Sequence, residues 1–232
     1  MAMVLGGCAG RPLPDHPQVT VLIPGAGGNG PWYAGLRDAV GEDAQTRLAV
    51  LRWGAPLPLF VFNFQDRGIH ERAEKDLASR ISRWREAHPD GRLVLLAHSA
   101  GCGVALGALG RLEDGSAVDQ VVLLSPSVSP TYDLAPAIKH VRGQVHIFCS
   151  DRDEFFLSWR TGTFGTYDNV RTAAAGNAGF ANLERLPAEL REKVVQHAYH
   201  PAWEKLGHDG GHWGATSRRF AGEVIAPLLV PQ

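Results

Sequence analysis

The sequence predicts one α/β domain in which helices flank a mostly parallel β-sheet. Short apolar, β-branched runs alternate along the chain with stretches of helical spacing, which is the pattern of successive strand–helix units. No repeat, linker or break in composition divides the 232 residues, a length that suits a single buried core. We therefore expect one domain over residues 18–232, after a flexible N-terminal segment of residues 1–17.

The strands and helices of this domain are predicted from apolar runs and from the turn residues between them. The predicted strands lie at 19–23, 48–51, 92–97, 118–124, 144–149 and 193–199. Helices are predicted at 66–88, 100–112, 132–141 and 218–229. Strands that alternate with helices run parallel and are joined by right-handed crossovers. Because all strands then point the same way, their carboxyl ends lie at one edge of the sheet, where ligands bind.

The charge and the cysteine content exclude two classes of protein. The 23 basic and 24 acidic residues give a formal net charge of −1, whereas a nucleic acid partner requires a concentrated positive field. Three cysteines are too few for a disulfide scaffold. We therefore expect a globular domain that binds no nucleic acid, and the sequence carries no signal for its oligomeric state.

The first residues leave two interpretations open. Leu5-Gly6-Gly7-Cys8 resembles the lipobox of bacterial lipoproteins, in which the cysteine is acylated. The apolar region of 7–15 residues that a secretory signal needs is too short here. One interpretation is a truncated signal with a lipid anchor at Cys8 and a location in the cell envelope. The other is a disordered N-terminus on a cytoplasmic protein.

The strongest motif lies where the strand at 92–97 runs into a helix of small residues. Ser99 stands at this junction, and Ala97 and Gly101 on either side are small enough for a tight turn. The segment resembles the nucleophile elbow of the α/β-hydrolase family, G-x-S-x-G, with Ala97 in place of the first glycine. The alternative is a serine that only caps a helix. The resemblance implies that Ser99 is a catalytic nucleophile.

The same resemblance implies an oxyanion hole after the first strand. Pro24-Gly25-Ala26-Gly27 aligns with the H-G-x-G pattern of the family's oxyanion loop, with Pro24 in place of histidine. By this correspondence, the backbone N–H groups of Ala26 and Ala100 would hold the oxyanion. Glycines allow the backbone to approach a substrate closely. An ordinary glycine-rich turn is the alternative, and a phosphate-binding Walker loop is excluded because no Gly-Lys-Ser/Thr follows.

The family places its acid after the strand predicted at 144–149. Asp153 suits the usual spacing, and Asp151 is the alternative. The acid would orient the catalytic imidazole and stabilise its cation. With Ser99 before it and His212 after it, Asp153 completes the order Ser, Asp, His that α/β-hydrolases share.

The expected base lies in a glycine-rich loop between the last strand and the last helix. His212, next to the helix, matches the family position, and His208 is the alternative. A metal site made of His208, Asp209 and His212 is the competing chemistry. It lacks a helix that would place both histidines on one face, so no metal is expected.

Together these features imply a three-layer α/β-hydrolase-like sandwich without a large cap domain. The implied activity is a serine hydrolase that cleaves a carboxylic ester of a small-molecule acyl substrate through an acyl-enzyme, with no cofactor. Thioesters and amides remain open as substrates. The apolar segment 53–63 is a candidate wall of an acyl or aromatic pocket, and ordinary packing over the edge of the sheet is the alternative. A catalytically silent scaffold that serves as a binding module is the alternative function, because fold does not imply function.

Overall fold

The computed structural model describes residues 11–41, 46–55, 62–63, 66–153 and 165–230. Six strands in these residues form one sheet in the order β2-β1-β3-β4-β5-β6, and every neighbouring pair is parallel. The strands are β1 (Gln18–Ile23), β2 (Arg47–Val50), β3 (Arg92–His98), β4 (Gln120–Leu124), β5 (Val145–Cys149) and β6 (Val194–Ala198). The predicted parallel sheet is confirmed.

Two long helices and several short ones connect these strands. The helices are α1 (Ala34–Gly41), α2 (Arg67–Ala87), α3 (Ala100–Leu109), α4 (Ala135–Ile138), α5 (Ala175–Ala178), α6 (Ala188–Arg191), α7 (Arg218–Phe220) and α8 (Ala226–Leu229). A π-helical stretch, Ala221–Ile225, joins α7 to α8. Pro227 follows it, and proline has no N–H with which to continue the α-helical bonding pattern.

Helices cover both faces of the sheet, which gives the three-layer sandwich that the sequence predicts. On one face, Leu77 of α2 and Val104 of α3 join a core with alternate strand residues such as Leu95. On the other face, Leu36 of α1 and Phe220 of α7 pack with the intervening strand residues. Because successive strand side chains point to opposite faces and both faces are buried, the strands have continuous apolar sequences.

The order of the strands creates a crevice between β1 and β3. From β1 the chain passes to β2 on one side and then returns to β3 on the other, so the direction of winding reverses at this point. Ligands bind outside the carboxyl ends of the strands at such a switch point. Ile23 is opposite Ala97 in the register, so the loop after β1 and the turn after β3 leave the sheet side by side.

The helices α1 and α4 are among the elements that differ from the prediction. Helix α1 was not predicted, although Leu36 and Val40 on one side of it are buried. The helix predicted at 132–141 is reduced to the single turn α4. It ends early because Val141 takes part in a parallel bridge with Val118, for which an extended backbone is needed.

The described part of the N-terminal segment contacts the domain. The Trp84 indole N–H on α2 donates to Pro14 O at 3.1 Å, and the Arg92 amide donates to Pro17 O at 2.7 Å. Pro14 and Pro17, in the segment 1–17, thus accept hydrogen bonds from the domain. The lipobox-like stretch Leu5-Gly6-Gly7-Cys8 lies outside the described residues. Within the described residues, no helix is long and apolar enough to cross a membrane.

Candidate active site

Ser99 occupies a strained turn between β3 and α3. Its φ of 56° and ψ of −127° place a non-glycine residue in the left-handed half of conformational space. Its amide donates to Leu124 O at 2.9 Å, which ties the turn to the end of β4. Strain of this kind persists only where the surrounding structure enforces it, and it is concentrated at functional sites.

The small residue after Ser99 is required by the backbone of the neighbouring strand. A Cβ added at Gly101 would lie 2.3 Å from Ile23 O and 2.5 Å from Pro24 O. These carbonyl groups belong to the end of β1 and to the loop that follows it, so they have little room to move. The tight approach between α3 and β1 therefore depends on glycine at this position.

A line of hydrogen bonds joins Ser99 to a histidine and an aspartate from two distant loops. His212 Nε2 lies 3.0 Å from Ser99 Oγ, and His212 Nδ1 lies 2.7 Å from Asp153 Oδ2. All three side chains are buried. The structure therefore brings together the candidate nucleophile, base and acid that the sequence resemblance implies, at hydrogen-bonding distances that suit proton transfer from the serine.

Asp153 is the candidate acid that faces the histidine. It is 2% exposed, whereas Asp151 two residues earlier is exposed to solvent. Burial raises the pKa of Asp153 to about 8, while a hydrogen bond from the Ser125 hydroxyl opposes the shift and the nearby Asp209 carboxylate adds to it.

His208, the alternative base, has a different environment. Its ring is stacked on Trp203 at 5.5 Å and meets the edge of Phe220 at 4.6 Å. Its Nδ1 accepts the Gly210 N–H, and burial lowers its pKa to about 4. His208 and His212 thus have separate partners, and the described residues contain no group of three or more His, Cys, Asp or Glu placed to hold a metal ion.

The two candidate oxyanion donors lie in the loop and the helix that adjoin Ser99. Ala100 is the first residue of α3, where backbone N–H groups have no partner within the helix. Ala26 is 3% exposed, and no described residue accepts a hydrogen bond from its amide. A Cβ at Gly25 would lie 3.0 Å from Ser99 Cβ, so the glycine loop passes directly against the serine.

Sequence reasoning missed two serines after β4 that reach the site. Ser127 Oγ lies 3.1 Å from Ser99 Oγ, and Ser125 lowers the pKa of Asp153 against the effect of burial. Because the single proton of the Ser99 hydroxyl is donated to His212, the hydrogen bond between the two serines must be donated by the Ser127 hydroxyl. Their position in the sequence could have revealed them, because Ser125-Pro126-Ser127 follows a buried strand and so lies at the edge of the sheet where ligands bind.

The residue before the serine also contributes a buried contact. Burial, and secondarily the neighbouring His212, lower the pKa of His98 well below its usual value, so its ring is neutral. Its Nδ1 lies 2.7 Å from Tyr33 Oη and its Nε2 lies 2.9 Å from His212 O. A carbonyl oxygen only accepts, so Nε2 carries the proton and Nδ1 accepts from Tyr33. His98 therefore holds the backbone of the candidate base.

A doubly wound parallel sheet with a serine on a strained turn at its switch point is the architecture of the α/β-hydrolase superfamily. Comparison with known families agrees. Residues 34–158, more than half of the chain, match the family described as alpha/beta hydrolase of unknown function (DUF900), and the chain belongs to it. The predicted superfamily is confirmed. No curated protein matches the chain.

Solved structures share the fold at low sequence identity. A lipase-esterase related protein from Clostridium acetobutylicum is 12% identical with a TM-score of 0.51, over 92% of this chain and 95% of that one. The ydeN gene product from B. subtilis is 17% identical with a TM-score of 0.52, over 91% and 98%. The catalytic core of acetyl xylan esterase from Trichoderma reesei is 14% identical with a TM-score of 0.50, over 91% and 96%.

Proposed function

We propose that the protein is a serine hydrolase that cleaves carboxylic esters through an acyl-enzyme on Ser99. The observation that carries this proposal is the hydrogen-bonded line from Ser99 Oγ through His212 to Asp153. Contacts of this kind also occur in structural networks, but here the serine has a positive φ at the switch point of the sheet. That combination supports a nucleophile over a serine that only caps a helix.

The geometry assigns a role to each side chain in the proposed reaction. His212 Nε2 takes the proton of Ser99 as Oγ attacks the ester carbonyl, and it later gives the proton to the leaving alcohol. Asp153 accepts from the Nδ1–H of His212, which leaves Nε2 unprotonated and able to take the proton of Ser99. The N–H groups of Ala26 and Ala100 stabilise the oxyanion. Water, activated by the same histidine, then releases the acid.

Carboxylic esters are the substrate class that the fold favours. Two of the structural neighbours carry the descriptions lipase-esterase related protein and acetyl xylan esterase, and both span more than nine-tenths of this chain. We extend the ester class to this chain, and we take the substrate to be a small molecule. The proposed reaction needs no metal or organic cofactor, because the three side chains and two amides supply every step.

Labelling with a fluorophosphonate tests the nucleophile, and a panel of p-nitrophenyl esters tests the substrate class. Wild-type protein should be labelled at Ser99 and should hydrolyse short-chain esters. Ser99→Ala should lose labelling and at least about 10⁴-fold in turnover. Ser79→Ala, on the solvent-exposed side of α2, is the matched control and should behave as wild type. Absence of labelling in the wild type would instead favour a catalytically silent scaffold.

A further inference from the structure

The proposed oxyanion loop has little support of its own, namely one turn hydrogen bond from the Gly28 N–H to Gly25 O at 2.9 Å. Residues 24–28 contain three glycines, and Gly28 has a positive φ of 73°. Glycine has more backbone freedom than any other residue. Stabilisation of an oxyanion, however, depends on N–H groups that are already fixed in position before the reaction. The loop therefore needs support from outside.

Three side chains supply that support, one for each of three consecutive residues. The Trp53 indole N–H donates to Pro24 O at 2.7 Å, and the Gly25 amide donates to Tyr33 Oη at 2.8 Å. Asn63 Nδ2 donates to Ala26 O at 2.8 Å. Within the part of the chain that the structure describes, the Ala26 N–H is left without a partner. The Ala26 N–H is therefore available to a substrate, while the polar groups of Pro24, Gly25 and Ala26 that the three side chains bind are not.

Asn63 is itself rigidly held. It is 1% exposed, its Oδ1 accepts the Ala55 N–H at 2.6 Å, and its Nδ2 also donates to Ala55 O at 2.9 Å. Its own carbonyl oxygen accepts from His70 Nε2 at 2.9 Å. The close approach requires Gly54, where a Cβ would lie 2.5 Å from the Asn63 amide. The asparagine therefore bridges the loop to the start of α2.

Tyr33 connects the loop to the candidate base. Its hydroxyl accepts from the Gly25 N–H and donates to His98 Nδ1 at 2.7 Å. His98 in turn donates to the carbonyl oxygen of His212 at 2.9 Å. Tyr33 is completely buried, so this connection is shielded from water. One side chain thus holds the oxyanion loop and, through His98, the backbone of His212 at a constant separation.

We propose that Trp53, Tyr33 and Asn63 are positioning residues that fix the Ala26 N–H toward the oxyanion. This inference rests on the proposed function, because it assigns Ala26 to the transition state of ester hydrolysis. It also gives a role to the described ends of the apolar segment 53–63, whose middle, residues 56–61, lies outside the described residues. Trp53 and Asn63, which stand at those ends, bind the oxyanion loop as well as lying beside the site.

Three conservative variants test the proposal, and each removes the polar group of one side chain that binds the loop. Tyr33→Phe loses the hydroxyl, Trp53→Phe loses the indole N–H, and Asn63→Asp turns the donor that faces Ala26 O into an acceptor. Trp84→Phe is the matched control, because Trp84 donates an equivalent indole bond to Pro14 O in the N-terminal segment. Circular dichroism and thermal melting establish that each variant is folded.

We expect kcat to fall with little change in KM, because the stabilisation that is lost acts on the transition state. Complete removal of one oxyanion donor costs about 10²–10³-fold in kcat in well-studied hydrolases, so a loosened donor should cost about 10-fold. KM for a p-nitrophenyl ester should stay within about twofold, because the bound ester carbonyl needs the donor less. The corresponding thiono ester, whose sulfur is a weak acceptor, should show little change. Trp84→Phe should retain wild-type kcat.

A second measurement does not depend on activity. Hydrogen exchange of the amides in residues 24–30 should accelerate in the three variants and stay at the wild-type rate in Trp84→Phe. Unchanged exchange, or unchanged kcat in an enzyme that Ser99→Ala inactivates, overturns the positioning role. If Ser99→Ala retains wild-type turnover, the proposed function fails, and the inference about the transition state fails with it. In that case accelerated exchange still shows that the three side chains hold the loop.

Discussion

Asp153→Asn tests two effects of the buried carboxylate, namely its contribution to turnover and its destabilising effect on the fold. Asparagine keeps the volume of the side chain but removes the charge that burial disfavours. Because burial raises the pKa of Asp153 from 3.8 to about 8, the folded protein binds one more proton than the unfolded chain between about pH 4 and pH 8. Below pH 4 the carboxyl group is protonated in both states, so the wild-type protein loses stability as the pH rises through this window.

The size of this loss of stability follows from the shift in the pKa of Asp153. One proton changes the free energy of unfolding by about 1.4 kcal/mol per pH unit, so the cost of the carboxylate is on the order of 4 kcal/mol at pH 7. Asp153→Asn should therefore be more stable than wild type at pH 7.5, with little difference at pH 4. Turnover should fall about 10⁴-fold, because an amide that donates to Nδ1 would leave the proton on His212 Nε2.

Urea denaturation across pH 4–8, together with ester hydrolysis, measures both effects. Asp151→Asn is the matched control, since Asp151 is exposed and lies two residues away. It should leave both stability and turnover near the wild-type values. A stability difference for Asp153→Asn that does not grow with pH would refute the electrostatic reasoning. Loss of turnover in Asp151→Asn, with Asp153→Asn active, would reverse the assignment of the acid. Wild-type turnover should rise with pH as Asp153 ionises.

Three further outcomes are expected. His212→Gln should abolish fluorophosphonate labelling, whereas His208→Gln should lower the melting temperature but keep labelling, because His208 is packed against aromatic rings. Gly101→Ala should destabilise the fold by several kcal/mol in urea titrations, since its Cβ would meet backbone at 2.3 Å. Gly222→Ala, whose nearest contact is at 3.8 Å, should be neutral or stabilising by up to about 1 kcal/mol. Ser127→Ala should lower kcat about 10-fold by removing the 3.1 Å contact with Ser99, and equal kcat values would exclude that role.

Much of the fold could be predicted because both faces of the sheet are buried. The central strands β1, β3 and β4 are then largely continuous apolar runs, and turn residues separate them from the helices. Helix α1 escaped prediction because it is short and contains glycine at both ends of Ala34–Gly41. The shortening of α4 depends on a bridge between Val118 and Val141, which local sequence does not reveal.

The candidate site likewise contains residues that could be predicted from the sequence and residues that could not. Ser99, Asp153 and His212 were predictable because each follows a strand and their order matches a known family. The positioning residues were not, because Tyr33, Trp53 and Asn63 lie in segments without a motif. Their roles are hydrogen bonds to the backbone of another segment, and such partners are chosen by tertiary packing.

By itself, the sequence determined the class of sheet, the strained serine turn and the type of side chain at each strand end. These follow from local patterns, namely apolar periodicity, small residues around Ser99 and glycines after β1. Only the tertiary structure decided which of two histidines faces the serine and which of two aspartates faces that histidine. Asp151 and His208 have the same chemistry as Asp153 and His212, and burial, direction and partner distinguish them. Those properties arise only when distant segments pack together.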